Sequence, residues 1–113
     1  MVTLTNIGTS YDAILASRGL GLLDVDFTGV TSVIFRVRVN KIWTGTQSWQ
    51  LWNETDSADI GVINDSGAAG DNKNLTATFA VAMGGIKTLR VRAKSTVAGD
   101  DPVFYGASVL PRV

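Results

Sequence analysis

Apolar and polar side chains alternate with a period of two along most of this chain, most clearly from Ser32 to Lys41. Val33, Phe35, Val37 and Val39 fall on one face of that run, and Arg36 and Arg38 on the other. Successive side chains of a strand point to opposite sides of the pleat, so this alternation predicts a β-strand with one buried face. The same pattern recurs from Lys87 to Lys94, where Leu89, Val91 and Ala93 alternate with Arg90, Arg92 and Lys94. Leu23, Val25 and Phe27 alternate with Asp24 and Asp26 in a third run. Leu75, Ala77, Phe79 and Val81 alternate with Thr76, Thr78 and Ala80 in a fourth. Gln47 to Asn53 and Ala58 to Ile63 read as shorter strands, and Val103 to Leu110 as a terminal one with Phe104 and Tyr105 on opposite faces. Thr3 to Ile7 and Tyr11 to Ala16 are weaker strand candidates, and Tyr11 to Leu23 has room for a helical turn.

Turn chemistry separates the runs. Thr28-Gly29-Val30, Thr44-Gly45-Thr46, Met83-Gly84-Gly85 and Val97-Ala98-Gly99-Asp100-Asp101 punctuate them, and Asn64 to Asn72 reads as the longest loop. Glycine supplies positive φ, and Asn and Asp bond their own backbone, so each cluster is a turn with a mechanism. Pro102 and Pro111 stand at strand ends, where a missing N–H costs little. Eight or nine short strands in 113 residues predict one all-β domain over residues 1–113. The expected architecture is an antiparallel β-sandwich of jelly-roll type, with Phe35, Val37, Phe79, Leu89 and Val91 in its core.

Composition narrows the function. Ten acids balance ten bases, only 18% of residues are charged, and mean hydropathy is positive. A small soluble monomer usually carries a net charge of about 2–8 in magnitude, so neutrality here points to association. A general nucleic-acid binder is disfavoured, because such affinity rests on an excess of Lys and Arg. The absence of histidine removes the commonest general base, and the absence of cysteine removes disulfides and thiolate metal sites. No apolar run approaches the roughly 18 residues a membrane helix needs. Met1 to Asn6 has neither the basic nor the apolar region of a signal peptide, so a complete product made in the cytoplasm is expected.

The remaining candidates for chemistry have bland readings beside them. Asp24 and Asp26 lie roughly 6–7 Å apart by strand rise, a separation glycosidase carboxylates can have. The stronger expectation is that they pair across strands with Arg36 and Arg38. Asp56, Asp59, Asp65, Asp71, Asp100 and Asp101 are loop-like oxygen donors of the kind calcium takes, but they lack its regular spacing. No cofactor or metal is expected. Arg36, Arg38, Arg90, Arg92 and Lys94 form one basic stripe if their strands are neighbours, a surface suited to an acidic partner. Trp43, Trp49 and Trp52 are the most unusual residues. Trp49 and Trp52 have opposite parity, so one belongs to the core and the other is exposed or covered by a partner. Trp43, Trp49, Trp52, Arg36, Arg38, Arg90 and Arg92 are therefore the candidate interface residues.

The run Trp49-Gln50-Leu51-Trp52-Asn53, the long Gly/Asn/Asp loop and the ending Asp101-Pro102-Val103-Phe104-Tyr105-Gly106-Ala107 resemble small β-sandwich proteins of tailed-bacteriophage virions. Two groups share that style over most of the chain, capsid decoration (cement) proteins and tail-fibre receptor-binding modules. The resemblance carries no diagnostic motif and no site residue. It implies a non-enzymatic virion protein, trimeric as decoration proteins typically are, that stabilises the shell by binding across subunits of the major capsid protein. Its alternative implication is a carbohydrate-binding or host-attachment module.

Overall fold

The structure, a computed structural model, describes residues 2–3, 11–13, 22–41, 45–96 and 103–113. Its elements are β1 (Val2–Thr3), β2 (Asp12–Ala13), β3 (Leu22–Asp26), β4 (Ser32–Lys41), β5 (Gln47–Asn53), β6 (Ala58–Asp65), β7 (Gly70–Ala80), β8 (Ile86–Ser95) and β9 (Val103–Arg112). The expected eight or nine strands become seven of substantial length, β3 to β9, among the described residues. Among the described residues β1 and β2 are pairing segments of two residues each.

All pairings are antiparallel, and they build two sheets. Sheet A has the order β1-β9-β4-β7. Sheet B has the order β2-β8-β5-β6, with β3 continuing along β8 beside β2. Among the described strands, only the consecutive pairs β5, β6 and β2, β3 share a sheet; every other consecutive pair lies on opposite sheets. This is the strand order of a jelly roll.

The core follows strand parity. Val33, Phe35, Val37 and Val39 of β4 are fully buried, facing Trp49 and Leu51 of β5 and Leu89 and Ala93 of β8 in one cluster. Phe79 and Val91 pack against that cluster but stay partly open, Phe79 because β7 is an outer strand of sheet A. The Phe79 ring, 6.4 Å from that of Phe35, also lies directly over Gly61 of β6, where a methyl group would overlap it. Glycine thus lets the outer strands of the two sheets approach on this flank. Gly61→Ala is expected to cost about 1–3 kcal/mol in urea unfolding. Adding Phe79→Leu should recover part of that cost, and simple additivity of the two changes would refute the contact.

Two sequence expectations change here. β6 runs through Asp65 and β7 starts at Gly70, so the expected loop over 64–72 shrinks to residues 66–69. Pairing of Gln47 with Asp65 and of Lys41 with Gly70 overrides the turn preference of the flanking Asn and Asp residues. The preference survives as a bulge, where Asn72 takes a φ of 54°, a conformation Asn tolerates better than most residues. Pro111 lies within β9 and not beyond it. Among the described residues, β1 covers only Val103 and Phe104 of β9's other edge, so the missing N–H leaves no ladder bond unmade.

Lys41 continues the inward parity of β4 and is buried at the end of the sandwich. Its Nζ donates to the carbonyls of Asp65 (2.9 Å) and Gly67 and lies 3.8 Å from the Asp65 carboxylate. Lys73 donates to the same carboxylate oxygen at 2.9 Å and to the Ala68 carbonyl. The Gly67 N–H also donates to that oxygen. Two lysines and one aspartate thereby fasten the short loop to the strand ends.

The weak strand candidate Thr3 to Ile7, the helical-turn reading within 11–23, and the turn over 97–101 with Pro102 lie wholly or mainly outside the described residues.

Candidate functional site

Parity separates the tryptophans as expected. Trp49 points inward, has no exposed surface and stacks on Phe104 at 5.7 Å between ring centroids. It is a core residue, and its candidacy as an interface anchor ends there. Trp52 points outward and is half-buried. Trp43 lies outside the described residues.

The outer face of sheet B closes on itself. The Arg92 guanidinium lies 4.6 Å above the Trp52 ring and 5.8 Å from that of Tyr11, and it donates to the Tyr11 carbonyl at 3.1 Å. Lys94 Nζ sits 4.4 Å above the Tyr11 ring. Burial pushes the Tyr11 hydroxyl pKa up, with a hydrogen bond to Ser48 acting the other way. Gln50 donates to Asp59, and Arg90 forms an ion pair with Glu54 at 3.2 Å. At the β5–β6 turn, hydrogen bonds from Lys87 and then Asn53 hold the Asp56 carboxyl below its ordinary range. Each cation described on this face therefore has a ring or a carboxylate, contacts worth about 0.5–1 kcal/mol each at exposed sites.

The condition for a single basic stripe, that these strands be neighbours, is not met. Arg36 and Arg38 lie on β4 in sheet A, whereas Arg90, Arg92 and Lys94 lie on β8 in sheet B, on the opposite outer surface. The expected ion pairs of Asp24 and Asp26 with Arg36 and Arg38 fail for the same reason. β3 pairs with β8, so Asp24 accepts from the Thr88 hydroxyl at 2.7 Å. Asp26 accepts from the Thr28 N–H, which lowers its pKa.

The outer face of sheet A is different. Arg36 and Arg38 stand on its central strand, flanked by Thr76 of β7 and by Tyr105 and Ser108 of β9. Together with Gly106 they border an open groove of about 590 Å³. A Cβ on Gly106 would meet nothing within 4 Å, so this wall is low. Arg38 donates through Nε (3.2 Å) and Nη2 to Oδ1 of Asn72. Tyr105 donates its hydroxyl to Asp71 at 2.6 Å, and that carboxylate bond raises the tyrosine pKa. Arg36 is exposed and has no side-chain hydrogen bond or ion pair among the described residues. Further along the same face come the Ile34–Leu110 pair, with Leu110 about half exposed, and then Arg112 opposite Ser32.

The acidic residues do not assemble into a cation site. Asp56, Asp59, Asp65 and Asp71 each accept from a different neighbour, and Asp100 and Asp101 lie outside the described residues. Among the described residues no three His, Cys, Asp or Glu side chains are grouped to hold a metal. Sequence reasoning overlooked Tyr105, Asn72 and Asp71 as parts of one arrangement; the bulges that bring them beside Arg38 leave no period-two signal. Comparison of the chain with protein-family models and with curated proteins finds no match.

Proposed function

We propose that this protein is a non-enzymatic structural component of a virion, a capsid decoration protein that assembles as a homotrimer and binds across subunits of the major capsid protein. The observation that carries the reading is the asymmetry of the sandwich among the described residues: sheet B satisfies its own cations, whereas sheet A presents an open face with an unpartnered arginine and a half-exposed leucine. Jelly rolls serve widely in viral shells and in lectins, and a neutral chain of low charge content favours association. A host-attachment module that binds carbohydrate is the second reading, favoured by the hydroxyl groups of Thr76, Tyr105 and Ser108 around the groove. Trp52 is a poor sugar platform, because Arg92 already covers one face of its ring.

Sedimentation and native mass, followed by addition of the chain to undecorated capsids, test the proposal. Trimers that bind the shells and raise their rupture temperature are expected. A strictly monomeric chain that ignores capsids and changes its fluorescence with oligosaccharides refutes the decoration reading and favours attachment. Trp52→Ala should leave capsid binding within about twofold of wild type, because sheet A and not sheet B carries the contact, while removing a cation–π interaction of about 0.5–1 kcal/mol. A loss of capsid binding of about 2 kcal/mol or more would make Trp52 the anchor instead.

A further inference from the structure

Along β4, outward positions recur every second residue, about 6.6–7 Å apart by strand rise. Read from Arg38 toward Ser32, this row places a held cation, a free cation, an apolar pair and a third cation in register. Arg38 is fixed by Asn72, Arg36 has no partner among the described residues, Ile34 lies beside Leu110, and Ser32 lies beside Arg112. Among the described residues the counter-charge on this face is Asp71, whose carboxylate already accepts from Tyr105. Three arginines thus stand against one side-chain carboxylate among the described residues of this face. Covering a free guanidinium with a partner is costly unless the partner brings an anion. A guanidinium takes a carboxylate in bidentate fashion.

We infer that this row is a docking site for an extended acidic segment of a partner protein, with carboxylates at alternate positions facing Arg38 and Arg36, an apolar side chain facing Ile34 and Leu110, and a third carboxylate facing Arg112. The inference rests on the assembly reading above and specifies the chemistry of the partner. An extended segment repeats its side chains at the same spacing as β4, so alternate acids meet the arginines in step. Consecutive acids point to opposite sides and engage only in part. The low wall at Gly106 admits the segment's backbone beside Tyr105.

The probe is a fluorescein-labelled synthetic peptide with aspartate, aspartate, valine and aspartate at alternate positions and threonine between them. A control peptide of the same composition has its aspartates consecutive. Fluorescence anisotropy with the full chain should show saturable binding that weakens with added salt, as contacts between exposed charges do. The double substitution R36Q/R38Q should weaken binding by about tenfold or more, with an unchanged far-UV spectrum. K94Q on the opposite face should leave binding as it is. Equal binding of the two peptides, or no effect of R36Q/R38Q, overturns the inference. So does an oligogalacturonate that binds more tightly than the peptide with the same arginine dependence, since the site would then take an acidic sugar. Capsid binding separates the two proposals. If wild type ignores capsids yet binds the alternating peptide in the expected way, the row stands and the virion assignment falls. If R36Q/R38Q decorates capsids like wild type, the assembly stands and the row falls.

Discussion

Asp65→Ala is expected to destabilise the protein by about 3–5 kcal/mol, the range found when one partner of a buried ion pair is removed. The Lys41 side chain is fully shielded from solvent and the Asp65 side chain almost so. The carboxylate is the only anion within 4 Å of Lys41 Nζ among the described residues, and it also binds Lys73 and the Gly67 N–H. Without it, two ammonium groups remain near each other with only carbonyl oxygens as partners. Lys41→Met is the informative contrast. It removes the buried charge itself, fills most of the same volume, and leaves Asp65 its partner Lys73. Replacing a buried charge with a packed apolar chain is often close to neutral, so this variant should lose much less. Urea unfolding at constant m-value measures both. Equal losses would show that the loop is held by packing and not by charge.

Trp49→Ala should cost about 3–5 kcal/mol, because the largest fully buried side chain among the described residues leaves a cavity between two sheets that cannot both collapse. The indole stacks on Phe104, which ties β5 of sheet B to β9 of sheet A. Trp49→Phe should cost far less. The Trp49 Nε1–H has no acceptor among the described residues, so the phenyl ring forfeits volume but no hydrogen bond. If the phenylalanine variant is as damaged as the alanine variant, the indole N–H has a partner after all.

What was legible in the sequence was parity. Alternation assigned the faces of β4 and β8, placed Arg36 and Arg38 outward, and separated Trp49 from Trp52 and Phe104 from Tyr105. Parity says which side a residue faces but not which strand lies beside it. Asp24 and Arg36 share an alternation pattern and neighbouring runs, yet the chain crosses the sandwich between them, so their carboxylate and guanidinium lie on opposite sheets. The same crossing split the basic residues into two faces. Lys41 had the right parity for burial, but a lysine at an inward position makes sense only once Asp65 is seen beside it. Asp65 was read as part of a loop because Asn, Asp and Gly favour turns. Its burial depends on β5 and β4 meeting around it, which is long-range information. The groove was hidden for the same reason: Tyr105, Asn72 and Arg38 come from three strands, and two bulges bring them together.

The interior position of β9 bears on how the protein is made. Val103–Arg112 runs along β4 and also receives β1, made about 100 residues earlier. A nascent chain that ends before residue 103 has β1 without its neighbour and the central strand of sheet A bare along one edge. Core residues such as Phe35 and Val37 then lack the wall that Phe104 and Val109 supply. Sheet A therefore closes only after Val103–Arg112 has been made, and Val2 must wait for Phe104, its partner in register. Stalled or truncated chains are the ones expected to aggregate through that bare edge.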